Sequence, residues 1–509
     1  MRPLAILLTL FLLPAIVSGQ TTPAGPLTLE QVLELAETRS EALGIARTAI
    51  TRAEADAIRA RSGRYPQLTG VASYERALAS EFSGVFDNVN FGGAAPGGGN
   101  GTPAPAEGDD GGLADLPFGR ENTWRLSLSF SQNLFSGGRL GAQRVIAAVS
   151  RETADLGVTT AQAQLLFDVT QAYYEAALAD RLVAIAEATV GQASAALQQV
   201  EAGFSAGTQP EFEVLRARVT RDAQNPALIR ARTSRDLALL RLKQYLDMPA
   251  GADLRLADSL ADDLLAPAPT FAARVSAMER APLVAATRTA VLEVATTVRL
   301  REAGLAAVKA ERMPSVAATS NYGRVAYPNN FLPVFNRVNW TVGVSMQVPI
   351  LTGGRQRADE LGAAADLEQA RLRLRQVEEL AELDTQTALA QLTAALATWD
   401  ATAGTVQQAT RAHELATIRY NAGVSTQLEL SDARLLLQQA EANRAQTARD
   451  LQVARARVAL LPALPIATGG APLPGSGAQP PAAIPPPAPG GQLRNAAAPG
   501  GAQQFGGQE

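Results

Sequence analysis

A stretch of this chain is written twice. Displaced by 216 residues without a gap, Leu134 to Arg218 becomes Ile350 to Arg434. Phe135-Ser136-Gly137-Gly138-Arg139 then lies over Leu351-Thr352-Gly353-Gly354-Arg355, and Phe204-Ser205-Ala206-Gly207 over Tyr420-Asn421-Ala422-Gly423. The same register places Trp124 over Trp340. Turn glycines and strand-start aromatics recurring at one offset mark an internal duplication.

Between double glycine and tip lie Arg139 to Phe204 and Arg355 to Tyr420, two proline-free runs of 66 residues. Alanine, leucine, glutamine, glutamate and arginine dominate them, the residues that lose least on entering a helix. A helix of that length spans about 100 Å. No compact domain holds such an element, so each must lie against other long helices. Gly207 and Gly423 then turn the chain, and return helices are expected to about Leu246 and Leu461, with Pro226 a kink or break in the first.

The 509 residues carry 45 basic and 49 acidic side chains, a net charge of -4, and no cysteine. No broad positive field is available for nucleic acid. Disulfides and a lipid-modified N-terminal cysteine are excluded. Residues 1–19 read as an export signal: Arg2, an apolar run from Leu4 to Ile16, then Val17-Ser18-Gly19. Beyond it no run of 18 apolar residues occurs, so residence in a membrane requires β-structure, the other way to satisfy a backbone in lipid.

Four segments alternate with period two. Gln67 to Tyr74 and Ser315 to Gly323 follow the expected entry helices, 27–62 and 275–312. Thr123 to Leu134 places Trp124, Leu126, Leu128 and Phe130 on one side and Ser127, Ser129 and Ser131 on the other. Trp340, Val342, Val344 and Met346 alternate with Thr341, Gly343, Ser345 and Gln347. Each copy therefore reads helix, strand, loop, strand, long helix, tip, return helix. The organisation expected is a first repeat over 27–246 with a solvent loop at 75–122, and a linker over 247–274. A second repeat covers 275–461 with a loop at 324–339, and a proline- and glycine-rich unfolded tail occupies 462–509.

Four strands do not close a barrel, and open edges are forbidden in lipid, so a membrane reading demands several chains. Two would give eight strands and three would give twelve. Small polar residues on one face suit a water-filled lumen, though an ordinary half-buried sheet shows the same alternation.

The motifs LFSGGR (134–139), ILTGGR (350–355), FSAGTQPEFEVLRAR (204–218) and YNAGVSTQLELSDAR (420–434), repeated at this spacing, resemble the TolC family of outer-membrane efflux channels. The resemblance covers residues 27 to 461. It implies a mixed α/β membrane protein: a homotrimer whose 12-stranded β-barrel, four strands per chain, sits in the outer membrane of a Gram-negative bacterium and continues as a long periplasmic α-helical barrel. The loops would lie outside the cell, and the tips would meet a periplasmic adaptor protein and an inner-membrane transporter. Such a protein is no enzyme and needs no cofactor or metal. In keeping with that, the sequence offers no phosphate-binding loop and a single histidine, His413.

By the same resemblance, Glu429 and Asp432, three apart on one helical face, project into a periplasmic aperture as a cation-attracting ring. In the first copy Glu213 matches Glu429, while Arg216 stands where the second copy has Asp432. Tyr420 and Phe204 pack between hairpins beside this gate. Gly207, Thr208, Gly423 and Ser425 form the tips an adaptor would grip. Gly137, Gly138, Gly353 and Gly354 mark the turn from strand to helix, and Trp124 and Trp340 are candidates for an aromatic belt at the membrane interface. A protein-secretion duct of the same architecture, and a non-conducting envelope rod, stay open as alternatives.

Overall fold

The computed structural model describes residues 25–78, 122–257, 260, 268–280, 284–328, 333, 335 and 337–466. The expected export signal lies outside them, as do most of the first loop and nearly all of the expected tail. The element order is α1 (Leu29–Arg39), α2 (Glu41–Ser62), β1 (Gln67–Arg76), β2 (Asn122–Phe135), α3 (Arg139–Ser205), α4 (Glu211–Tyr245), α5 (Pro269–Arg280), α6 (Thr289–Ala310), β3 (Ser315–Ala326), β4 (Arg337–Gln347), α7 (Arg355–Asn421) and α8 (Gln427–Leu460).

The two long helices α3 and α7 are 67 residues each, and each starts after two glycines in the left-handed region. At Gly137 this is demanded twice. Its φ is +63°, and a Cβ there would stand 2.7 Å from the Ala310 carbonyl oxygen. The chain leaves β2 against the end of α6 with no room for a side chain.

The entry segments differ from the expectation of one helix each. Over 27–62 the helix breaks at Ser40, whose φ of -63° and ψ of 118° are extended and whose hydroxyl caps α2 through the Leu43 N–H. Thr28 starts α1 with a reciprocal capping box to Gln31. Over 275–312 the segment divides into α5, a short 3-10 turn at Ala285–Thr287, and α6, which begins after extended Arg288. As a result α2 and α6 are equal at 22 residues. Of the kink or break expected at Pro226, the break does not occur. Helix α4 runs through it, held along its length by α3, so one missing N–H and one freed carbonyl are tolerated. The loop bounds also shift, since β3 continues to Ala326 and β4 starts at Arg337.

The core lies at mid-length of the long helices. Tyr173, Val169 and Ala176 of α3 and Ala388 and Leu392 of α7 pack with α1, the 246–260 segment, α5 and the end of α8. Tyr173 donates to the Leu27 carbonyl at 3.1 Å, and Leu27 bridges Leu256, tying the linker to this belt. A buried charge cluster sits here too. Arg288, fully buried, meets Asp384 Oδ2 at 2.8 Å, while Arg457 meets Asp384 Oδ1 at 3.0 Å. Arg288 also donates to the Ala381 and Leu464 carbonyls, fastening residues after α8 to the belt.

The strands form one antiparallel sheet in the order β1-β2-β3-β4. Its register sorts the side chains cleanly. Leu68, Tyr74, Trp124, Leu126, Leu128, Phe130, Val316, Tyr322, Trp340, Val342, Val344 and Met346 share one face. Thr69, Ser73, Ser127, Ser129, Ser131, Thr319, Asn321, Thr341, Gly343 and Ser345 share the other.

Candidate functional site

The tips are built by backbone rules. Helix α3 ends where Gly207, φ +76°, lets its N–H reach the Phe204 carbonyl at 3.0 Å while Thr208 N–H reaches Gly203 at 2.9 Å. Gly423, φ +73°, repeats this with Tyr420, and Val424 N–H reaches Arg419, both at 3.0 Å. Thr208 adds a side-chain bond to the Gly203 carbonyl. The N-cap of α8 is Thr426, which receives the Glu429 N–H at 3.3 Å, so Ser425, expected at the tip, precedes the cap. All four tip residues are exposed or half-exposed.

Just behind the turn, Arg419 Nη1 stands 3.4 Å from Glu429 Oε1 across the α7–α8 hairpin. Asp432 is exposed one turn further on. In the first copy Glu213 and Arg216 lie 4.0 Å apart on one helix, at the limit of an ion pair. Tyr420, expected to pack between hairpins, lines a small cavity with Ala193, Ala217 and Thr220 of the first hairpin. It packs on Ala416, Leu430 and Ala433, and its phenol is pushed above its ordinary pKa by burial and by the Glu213 carboxylate, with Arg216 opposing. Tyr420 thus lies within electrostatic reach of charges on α4. Phe204, its counterpart, remains half-exposed.

Sequence reasoning missed a second link between the hairpins, Gln199 donating to Asn421 at 3.3 Å, because nothing local ties a mid-helix glutamine to a residue 222 positions away. His413 is half-buried two turns behind Tyr420, and burial and the Arg434 guanidinium push its pKa below the ordinary 6.5, with Glu414 and Glu441 partly offsetting them.

At the opposite end the apolar face of the sheet is bare. Trp340, Val342, Val344 and Met346 are 69, 74, 69 and 67% exposed. Burying side chains of this size is worth about 1.5–3 kcal/mol each, so a continuous uncovered row signals a nonaqueous surrounding. Trp124 meets Tyr74 with tilted rings 4.8 Å apart between centroids and Trp340 meets Tyr322 edge-on at 6.4 Å, so each of these tryptophans lies beside a tyrosine directly across the neighbouring strand. Among the described residues no helix is long and apolar enough to cross a membrane, and no group of three potential metal ligands occurs.

The chain matches the model of the outer membrane efflux protein family over residues 32–247 and 282–463, which together take in both hairpins and all four strands. The chain belongs to that family. It is an efflux channel protein of the Gram-negative outer membrane, and its fold, mostly helical with a small antiparallel sheet, is the channel fold. Among solved structures it is similar to the VceC outer membrane protein of Vibrio cholerae, with 18% identity and a TM-score of 0.63 over 85% of this chain and 95% of that one. It is also similar to the CmeC outer membrane channel of Campylobacter jejuni, with 16% identity and a TM-score of 0.64 over 86% of each chain. A further match is the open state of the MtrE outer membrane channel of Neisseria gonorrhoeae, with 19% identity and a TM-score of 0.63 over 86% of this chain and 89% of that one. No curated protein matches it in sequence. The family and the solved neighbours are channel proteins, not enzymes.

Proposed function

We propose that three copies of this chain close into a 12-stranded barrel continued by a helical barrel, and that each copy contributes two quasi-equivalent repeats to the wall. The supporting observation is an asymmetry in packing. Helix α3 lies against its own α2 and α4 and also against α6 and α8 of the second repeat. The matching packing of α7 along α2 and α4 does not occur among the described residues of one chain. Side chains record the difference: Ala445 and Ala456 of α8 are 1% and 0% exposed, while Ile229 and Leu240, at the same places in α4, are 63% and 42% exposed. A neighbouring copy's α7 is the surface that covers them, and the same neighbour pairs the open edges of β1 and β4.

The duct is passive. Substrate moves along a continuous aqueous path lined by the serine, threonine and glycine face of the sheet, and an inner-membrane transporter supplies the energy through a periplasmic adaptor gripping the tips at Gly207, Thr208, Gly423 and Ser425. Glu429 and Asp432, in three copies, form a carboxylate ring at the periplasmic aperture that favours cations. The Arg419–Glu429 pair and Tyr420, which shares a small cavity with Ala217 and Thr220 of α4, hold the aperture narrow.

Substituting Ile229→Glu together with Leu240→Glu tests the closure. Both are exposed in the isolated chain, so the single chain folds. The expected result is loss of the oligomer on native gels. A variant that assembles as well as the parent contradicts the proposed wall.

A further inference from the structure

Two arginines stand at the same place in the two hairpins, each the eighth residue of its return helix: Arg218 in α4 and Arg434 in α8. Arg218 meets the Glu201 carboxylate of α3 at 3.1 Å. The matching position of α7, four residues before the end of the helix as Glu201 is in α3, holds Thr417. Its hydroxyl donates to the His413 carbonyl at 2.8 Å. Arg434 therefore has the place of an ion-paired arginine without the carboxylate.

No other acidic group replaces it. Among the described residues Arg434 enters no ion pair, and its Nε is buried without a partner. Burial pushes its pKa below the ordinary arginine value, and no carboxylate opposes the shift. The acidic residues on the same stretch of α8 point elsewhere: around the helix axis Asp432 is rotated from Arg434 by about 200° and Glu429 by about 140°. Glu429 is in any case held by Arg419.

Arg434 also lines the small cavity between the hairpins, about 10 Å³ in volume, to which Thr220, Tyr420, Gln427 and Ser431 bring polar side chains. Gln427 is 9% exposed, and its Oε1 is likewise buried without a partner. Two unsatisfied polar side chains on one cavity, one of them cationic, point to a missing occupant. A space of that size takes a single water-sized particle. Carboxylates, phosphate and sulfate are too large, which leaves water or a monatomic anion. A half-buried guanidinium without a counter-charge selects the anion, because opposite charge offsets its lost hydration better than a dipole does.

We propose that Arg434, with Gln427, Ser431 and Tyr420, binds one halide ion, ordinarily chloride, in the cavity between the two hairpins. The guanidinium and the two hydroxyls donate to it, and Gln427, whose carbonyl end has no partner to hold it, offers its amide NH2 after a half-turn. The ion takes the role that Glu201 has in the first hairpin and joins α8 to α3 and α4 beside Tyr420. Together with the Gln199–Asn421 hydrogen bond it fastens the second hairpin to the first, so the contact tightens as halide concentration rises. The site lies within one chain and does not depend on how copies assemble.

The test follows hydrogen exchange at the α7–α8 tip of the full chain in mild detergent. Sodium chloride, sodium bromide and sodium gluconate are compared at equal ionic strength, gluconate being too large for the cavity. Exchange is expected to be slower in either halide, on the order of fivefold. Arg434→Gln should abolish the difference by removing the charge. Thr417→Glu should abolish it by supplying the carboxylate that Glu201 provides in the first hairpin, with slow exchange in all three salts. Arg411→Gln, which alters an exposed arginine elsewhere on α7, should leave the difference unchanged. In crystals grown with bromide, the anomalous signal should mark one ion beside Arg434. Equal exchange of the parent in chloride and gluconate, a halide effect that survives Arg434→Gln, or a cavity holding water alone overturns the proposal. Any of these in particles that still contain several chains rejects the ion site and leaves the proposed wall standing.

Discussion

Arg419 and Glu429 face each other across the second tip turn at 3.4 Å, and the matching positions of the first copy are Gly203 and Glu213. The two hairpins are therefore alike in backbone and unlike in charge. Both partners of the pair are about half-exposed, so it contributes about 0–1 kcal/mol to stability. Its effect is on where the carboxylate sits.

Glu429→Ala combined with Asp432→Ala should raise single-channel conductance in planar bilayers and abolish cation preference, while the thermal midpoint stays within about 2 °C of the parent. Unchanged selectivity would remove these carboxylates from the aperture.

The strand-to-helix turns differ in a way their shared Gly-Gly motif hides. At Gly353, φ +58°, an added Cβ meets nothing within 4 Å, so Gly353→Ala costs only the left-handed strain, about 1–2 kcal/mol. At Gly137 an added Cβ also collides with Met313 and the Ala310 carbonyl. Gly137→Ala should destabilise the chain clearly more, read as the difference in denaturation midpoint between the two variants. Equal midpoints would contradict the close approach of β2 to α6.

Asp384 is shared by Arg288 and Arg457 in the equatorial belt. Asp384→Ala strands a fully buried guanidinium and should cost about 3–5 kcal/mol. Arg457→Ala leaves the buried pair intact and should cost distinctly less. Reversal of that order in equilibrium unfolding would mean that Arg457 is the partner that matters.

His413 makes the tip sensitive to acid. Its folded pKa lies below the ordinary 6.5, first because it is buried and then because Arg434 is near. Below pH 6.5 the unfolded chain binds the proton more readily than the folded one, so this contribution to stability is lost as pH falls from about 6.5 through the folded value. Hydrogen exchange at the α7–α8 tip should therefore accelerate between neutral and mildly acid pH, and His413→Gln should remove that dependence. An identical pH profile in the variant would assign the effect to other groups.

Much of this was legible because it is written in local chemistry. Gly137-Gly138 and Gly353-Gly354 mark where strands become helices, Gly207 and Gly423 where helices turn back, and alternation from Trp124 and from Trp340 sorts the faces of two strands. What was not legible depends on distant partners. Ser40 and Arg288 both break helical runs, yet only the belt that packs there distinguishes them from other serines and arginines. The Arg288–Asp384–Arg457 cluster gathers residues from α7, α8 and the entry to α6, and Gln199 meets Asn421 because two hairpins happen to stand side by side. Pro226 shows the reverse, since α4, packed on α3, continues through it without a break.

The central claim is that single chains are incomplete wall segments. Particles extracted from the outer membrane in mild detergent, counted for subunits by native mass spectrometry and then added to planar bilayers, test it directly. The expected result is three chains per particle and stepwise conductance. Single chains, or trimers that insert without passing current, would contradict it.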